Sequence, residues 1–138
     1  MQLSRRVGGQ FYLAVVEVAD TATASSTSID ADKTVKRVED YSRAFGHRSV
    51  GILELCSKSD TAERTIHAAF NLSVGTSPSA CLRSKRLNQA YKSLRHREPQ
   101  RGMVKSVALQ NGFNHYGRFA QQYRELFDER PSETLERR

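Results

Sequence analysis

From Asp32 onward, the apolar positions of this chain fall at helical spacing, and they do so in one pattern used twice. Leu55-Cys56, a turn, then Ile66, Phe70, Val74 and Pro78 is echoed by Val107-Ala108, a turn, then Phe119, Tyr123, Phe127 and Pro131. The offset is 52 residues before the turn and 53 after it, so the second copy carries one extra turn residue. Each copy reads as a short helix, a tight turn and a second helix. The second helix places apolar residues at i, i+4 and i+8, which is one face of a 3.6-residue period.

The flanking residues fill in the remaining elements. Asp32 is a candidate N-cap for a helix with Val35, Val38, Tyr41 and Phe45 along one side, closed by Gly46. Further helices are predicted over 50–58 and 61–73, the latter ending at Gly75. Ser77-Pro78 then opens a longer helix, with Ser as cap and Pro at the first position, where its missing N–H does no harm. Leu87, Ala90, Tyr91 and Leu94 form its apolar stripe, and Pro99 and Gly102 follow its end. A fifth helix is predicted over 103–111 with Val104, Val107 and Ala108 inward, and Gly112 as a turn residue that tolerates positive φ. A sixth covers 115–127, and Pro131-Ser132 opens a short seventh.

Nothing after residue 31 reads as a strand. The predicted fold is all-α, with about seven helices in a domain over 32–138. It holds two helix-turn-helix units, 50–74 and 103–127, joined by a long linker helix over 77–97. Residues 1–31 form an irregular N-terminal segment: a short apolar piece over 11–19, then a Thr/Ser/Ala run over 21–28 that is linker-like in composition. This piece is too small to fold alone and reads as the trailing edge of something longer. Arg5-Arg6, the apolar run and Ala22-Thr23-Ala24 superficially resemble a secretory leader, but Glu17 and Asp20 precede the cleavage point and secretion is not expected. No stretch approaches the roughly 20 apolar residues a membrane span requires.

Charge gives the twofold pattern its chemical meaning. Apolar residues are only 38% of the chain, so the core must be thin and spread over several helices. Of the net +7, all is concentrated between Arg83 and Lys105, where eight Lys/Arg face one acid, Glu98; the other 14 basic residues are balanced by 14 acidic ones. A charge run by itself is usually a solvated helix face. Lying between two helix-turn-helix copies, it fits a polyanion-binding surface, and the second helix of such a unit lies in the DNA major groove. Cys56 and Cys81 are far apart and in apolar phase, fitting small core residues rather than a metal site. His47, His67, His96 and His115 are scattered. No nucleophile–base pair, carboxylate pair or phosphate loop has usable spacing, so neither an enzyme nor a cofactor is expected.

A set of residues now resembles the DNA-binding domain of the AraC/XylS family of bacterial transcription regulators. The signature portion is Arg86-Leu87, Ala90, Leu94, Val107-Ala108, Gly112-Phe113, Arg118-Phe119, Tyr123, Leu126-Phe127 and Pro131-Ser132. Arg64-Thr65-Ile66, Phe70, Gly75, Ser77-Pro78 and Leu82 match in the first unit, so the resemblance covers 35–138. The run from Gly112 to Phe119 looks most like the XylS-type branch, many of whose members respond to small organic metabolites. The resemblance implies double-stranded DNA as partner, with RNA polymerase a second to consider, and a bacterial cytoplasmic, nucleoid-associated location. A helix of some 20 residues spans about 30 Å, near the 34–36 Å between successive major-groove faces. A single chain can therefore be expected to read two adjacent groove segments without dimerising.

By the same resemblance, the DNA-contacting positions are Glu63, Arg64, His67 and Ala68 in the first recognition helix and Tyr116, Gly117, Arg118, Ala120 and Gln121 in the second. Arg64 and Arg118 are the leading base-contact candidates, because guanidinium can grip guanine bidentately, and Gln121 can pair with adenine in the same fashion. Arg83, Lys85, Arg86, Lys92, Lys105 and His115 are candidates for phosphate contact. Ile66, Phe70, Phe119, Tyr123 and Phe127 are expected in the core.

The departures from the family pattern cluster in the first unit. Asp60 stands where a turn glycine is usual and Ala62 where a capping Ser or Thr is usual, leaving Thr61 or Asp60 to cap one residue earlier. Ala68 replaces a commonly basic residue, Cys81 a commonly aromatic one, and Glu63 brings negative charge to the DNA-facing helix start. In the second unit, Asp128 stands where glycine is favoured. The second unit and the basic helix are therefore expected to carry most of the affinity. The alternative reading is a truncated or degenerate regulator fragment acting as a non-specific DNA-binding or protein-interaction module. The sensing domain that such regulators carry is not expected within some 30 residues, and the linker-like run favours truncation.

Overall fold

The computed structural model describes residues 26–45 and 50–137, and every regular element among them is an α-helix. In chain order these are α1 (Ser26–Ala44), α2 (Ile52–Ser59), α3 (Glu63–Ser73), α4 (Pro78–Arg95), α5 (Met103–Gln110), α6 (Tyr116–Phe127) and α7 (Pro131–Glu136). The all-α reading holds: α2 to α6 begin and end within two residues of their sequence-based bounds, and α7 begins at Pro131 as expected. The first helix does not: α1 begins at Ser26, so Asp32 lies inside it rather than at its cap. Ala31 is buried against the first core and Thr34 Oγ1 donates to Asp30 O at 2.9 Å, so packing and local bonding support the helix back to Ser26, inside the end of the supposed linker. The apolar piece over 11–19, the leader-like motif and Gly46 lie outside the described residues.

The chain divides into two compact units. One comprises α1 and Val50–Arg83, the other Ser84 onward, so the division falls within α4. Each has its own core. In the N-terminal unit, Ala31, Val35 and Val38 of α1 pack with Leu55, Ile66, Ala69, Phe70, Cys81 and Leu82. In the C-terminal unit, Leu87, Ala90 and Leu94 of α4 pack with Val107, Ala108, Phe113, Phe119, Tyr123 and Leu135. Phe45, expected on the apolar side of α1, stands beyond its end, exposed, with its ring 4.8 Å from that of Tyr41.

The two turns share one construction. At the end of α2, the buried Ser59 hydroxyl donates to Leu55 O at 2.6 Å, and Asp60 then takes the left-handed conformation (φ 49°). At the end of α5, the buried Asn111 amide donates to Val107 O at 2.8 Å, and Gly112 does the same (φ 78°). The next N–H closes the turn onto the helix in both, Thr61 to Cys56 O at 3.1 Å and Phe113 to Ala108 O at 2.9 Å. The second turn adds Gly112 N–H to Leu109 O at 3.0 Å and so completes a Schellman helix end, whereas Asp60 N–H in the first goes to Cys56 O as well.

The long helix starts as its residues require. Ser77 Oγ accepts from the Ala80 N–H at 3.3 Å, with Pro78 buried at the first helical position. α3 has no such help. Its N-cap, Ala62, offers no side chain, and Thr61 donates its hydroxyl back to Ser59 O at 2.9 Å instead of capping the helix.

Candidate nucleic-acid interface

Each unit presents the outward face of its second turn-linked helix. On α3, Ile66, Ala69 and Phe70 face the core, which leaves Glu63, Arg64 and Ala68 exposed and His67 half-buried. On α6, Phe119 and Tyr123 are fully buried, while Tyr116, Gly117, Arg118 and Gln121 are exposed and Ala120 is half-buried. At about 100° per residue, Gly117 and Gln121 lie opposite the Phe119–Tyr123 stripe, with Arg118 on one flank and Ala120 on the other. The nine expected reading positions thus form two outward surfaces, one in each unit.

Their side chains differ in readiness. Arg64 and Arg118 make no ion pair or hydrogen bond among the described residues, so both guanidinium groups are available to a ligand. Gln121 is partly engaged, its amide donating to Glu125 Oε1 at 3.0 Å one turn on. Glu63 lies 3.7 Å from His67 Nε2, which offsets its charge only when the imidazole is protonated.

The basic candidates also sort by environment. Arg83, Lys92, Lys105 and His115 are exposed, and Lys85 is half-buried. Lys85 and Lys92, two turns apart on α4, stand on the side away from Leu87, Ala90 and Leu94. His115 is the N-cap of α6, with no side-chain cap bond. Arg86 belongs to a different set: its Nη1 donates to Gly112 O at 3.2 Å and its guanidinium lies 4.9 Å over the Phe113 ring. Its planar group is engaged at the second turn, an environment that sets it apart from the exposed phosphate candidates.

The geometry adds residues that the sequence reading did not single out. A groove of about 640 Å³ runs along α6, lined by Tyr116, Ala120, Gln121, Arg124 and Glu125 on the helix, Asp128 after it, and Arg130, Pro131 and Ser132 where α7 begins, so two carboxylates lie beside its two arginines. Arg124 was open to detection, because it follows Gln121 by three and Gly117 by seven on one helical face. Arg130 and Ser132 were not, because only the return of α7 beside α6 brings them there. That return is held by a buried chain in which Tyr123 OH donates to Thr134 Oγ1 at 2.8 Å and Thr134 donates to Glu129 at 2.5 Å. Glu129 is further paired with Arg137 at 2.8 Å. Burial pushes the Tyr123 phenol well above the ordinary tyrosine value, an effect its bond to Thr134 opposes without cancelling.

A short helix, a left-handed turn residue and a second helix with a polar outward face, made twice, define a helix-turn-helix DNA-binding protein. Residues 55–137 match the family described as "Helix-turn-helix domain". Relatives include the XylDLEGF operon transcriptional activator 2 of Pseudomonas putida, 29% identical over 78% of this chain and 68% of its own length. The "Probable thc operon regulatory protein" of Rhodococcus erythropolis is 31% identical over 73% of this chain but only 30% of its own length. A crystal structure of a probable AraC family transcriptional regulator from Rhodopseudomonas palustris aligns with a TM-score of 0.63 at 37% identity, covering 75% of this chain and 94% of that one. The chain belongs to the AraC family of DNA-binding transcription regulators, through the DNA-binding domain. Among the described residues, no helix is long and apolar enough to cross a membrane.

Proposed function

We propose that this domain binds a specific promoter sequence, with α3 and α6 each reading a segment of major groove and α4 and its flanks supplying phosphate contacts. The observation that carries this is the outward face of α6: an unpaired Arg118 guanidinium beside Gln121, on a helix fixed from behind by Phe119 and Tyr123. Arginine and glutamine are the side chains that grip guanine and adenine edges bidentately. Arg83, Lys85, Lys92, Lys105 and His115 supply the sequence-independent part, and the groove adds Arg124, Arg130 and Ser132 as further backbone contacts. Arg86 supports the turn instead. Each phosphate neutralised makes log K fall with log salt by a slope of about 0.9, so affinity drops steeply as salt rises.

Transcription control at an operon is the role supported by the relatives named as operon activators and regulators. The same proposal takes RNA polymerase as second partner and the bacterial nucleoid as location. Two reading helices on one chain support binding as a monomer. The test is a mobility-shift comparison of a site selected from random duplex against the random pool itself. A specificity ratio of about 10³ or more at physiological salt is expected. A ratio near one overturns sequence-specific reading and leaves a charge-driven binder.

A further inference from the structure

The geometry points to Arg86 as a positioning residue for the second recognition helix: it sets base discrimination by α6 without itself touching DNA. The inference rests on the reading of α6 proposed above. Three observations converge on it. Arg86 Nη1 donates to the carbonyl of Gly112, the left-handed residue on which the turn pivots. The guanidinium face covers Phe113 at 4.9 Å, a cation–π distance. Phe113 in turn packs on Phe119 of α6 with ring centroids 5.0 Å apart, so the contact passes from α4 through the turn to the back of the reading helix.

The N-terminal unit has a looser version of the same device. Arg37 of α1 reaches Ser59 O, one residue before the left-handed Asp60, at 3.5 Å. Thr61 occupies the place of Phe113, so no ring lies beneath that arginine at the corresponding residue. In both units a supporting helix sends an arginine to a carbonyl of the turn, and only the second adds an aromatic lever to the helix beyond. Arginine suits the task because its planar fork can donate at its edge while stacking on its face, which lysine cannot do.

The experiment compares Arg86→Gln, Arg86→Lys and Arg118→Ala in the full chain, on the selected duplex and on one altered in the α6 half-site, well below each variant's Tm. Arg86→Gln is expected to lower discrimination between the two duplexes about tenfold while leaving the salt slope unchanged. Arg86→Lys keeps the charge but not the fork, and is expected to lose nearly as much. Should Arg86→Gln unfold the domain, Arg86→Lys alone decides the matter. A slope lower by about 0.9, or full rescue by lysine, identifies a phosphate contact and overturns the inference. Unchanged discrimination with a lowered Tm also overturns it, leaving a purely structural residue. Arg118→Ala separates the two levels: if it alone abolishes discrimination, α6 reads bases and only the positioning role fails. If it has no effect, the reading of α6 fails and the inference falls with it.

Discussion

At an offset of 52 or 53 residues the two units correspond element by element, and the correspondence runs past the second helix of each pair. Val35 and Val38 of α1 match Leu87 and Ala90 of α4, and Cys81 and Leu82 at the start of α4 match Thr134 and Leu135 of α7; all but Thr134 are buried apolar residues and Thr134 is buried too. Left-handed residues recur at matched places, Asp60 with Gly112 and Gly75 with Asp128. So α7 is the second unit's counterpart of the first turns of α4. The difference lies in how the repeated joint is secured. The first unit closes with the apolar pair Phe70 and Cys81, whereas the second uses Tyr123 and Thr134 joined by a buried hydrogen bond and extended to Glu129 and Arg137. An apolar closure tolerates small shifts, while a directional polar one specifies a single docking. The second unit also holds its turn with Arg86 over Phe113, where the first has the longer contact of Arg37. One scaffold has thus been finished more tightly in the copy whose reading face is richer.

The largest expected effect tests whether the two cores are separate. Ile66 and Phe119 are matched positions, both fully buried, one in each core. Ile66→Ala should cost about 2–5 kcal/mol and Phe119→Ala about 3–5 kcal/mol. If the cores are independent, hydrogen exchange in each variant will accelerate in its own unit far more than in the other. Uniform acceleration of both units in either variant would mean that α4 couples them into one cooperative fold, and the comparison would have to be recast.

Next comes the ranking of the reading faces. Arg118→Ala is expected to weaken specific binding by about 1–3 kcal/mol and relax selectivity in its half-site. Arg64→Ala should cost less, because Glu63 lies beside it, Ala68 offers no hydrogen bond and α3 starts without a cap. A mobility-shift series in which Arg64→Ala is the more damaging would reverse the ranking.

How much of this was legible in the sequence depended on whether a property is local. Helices α2 to α7 were, because their ends are marked by Gly75, Ser77-Pro78, Gly102, Gly112 and Pro131, each with a backbone preference of its own. The start of α1 was not. Its Ser/Thr-rich first turn has weak intrinsic preference and is drawn into helix by packing, including burial of Ala31. Which face of α6 turns outward was legible through periodicity, since Phe119 and Tyr123 mark the buried one. The contacts of Arg86 were not, because neither the Gly112 carbonyl nor the Phe113 ring, 26 and 27 residues on, can be paired with it from composition. Arg130 and Ser132 escaped for the same reason.

Tyrosine 123 sharpens the contrast between the two closures. Tyr123→Phe should cost about 0.5–1.5 kcal/mol by removing one buried hydrogen bond, and the matched Phe70 already lacks it. The phenol is held protonated in the folded state, while the unfolded chain titrates near the ordinary value of about 10. The folded pKa is the higher one, so this contribution is complete below about pH 10 and is lost as pH rises beyond it. Urea denaturation is therefore expected to show stability falling more steeply above about pH 10 in the native chain than in Tyr123→Phe. Equal slopes would mean that the phenol ionises as easily folded as unfolded.

The smallest effects concern the left-handed residues, where the two units are reciprocal. Asp60 (φ 49°) is matched by Gly112, and Asp128 (φ 57°) by Gly75 (φ 70°). An L-residue in this region is strained by roughly 1–2 kcal/mol, less for Asp, which tolerates it better than most. Glycine avoids the strain but gains more freedom in the unfolded chain, which offsets part of the benefit. Asp60→Gly and Asp128→Gly should each stabilise by about 0.5–1 kcal/mol in thermal unfolding. Gly75→Asp should destabilise by a similar amount, since a Cβ there meets nothing within 4 Å and the backbone conformation alone sets the cost. If Asp60→Gly lowers the Tm instead, the carboxylate stabilises its turn in a way that outweighs the strain. The first unit's departure from a turn glycine would then be a compensated feature rather than a weakness, and one support for ranking that unit second would be gone.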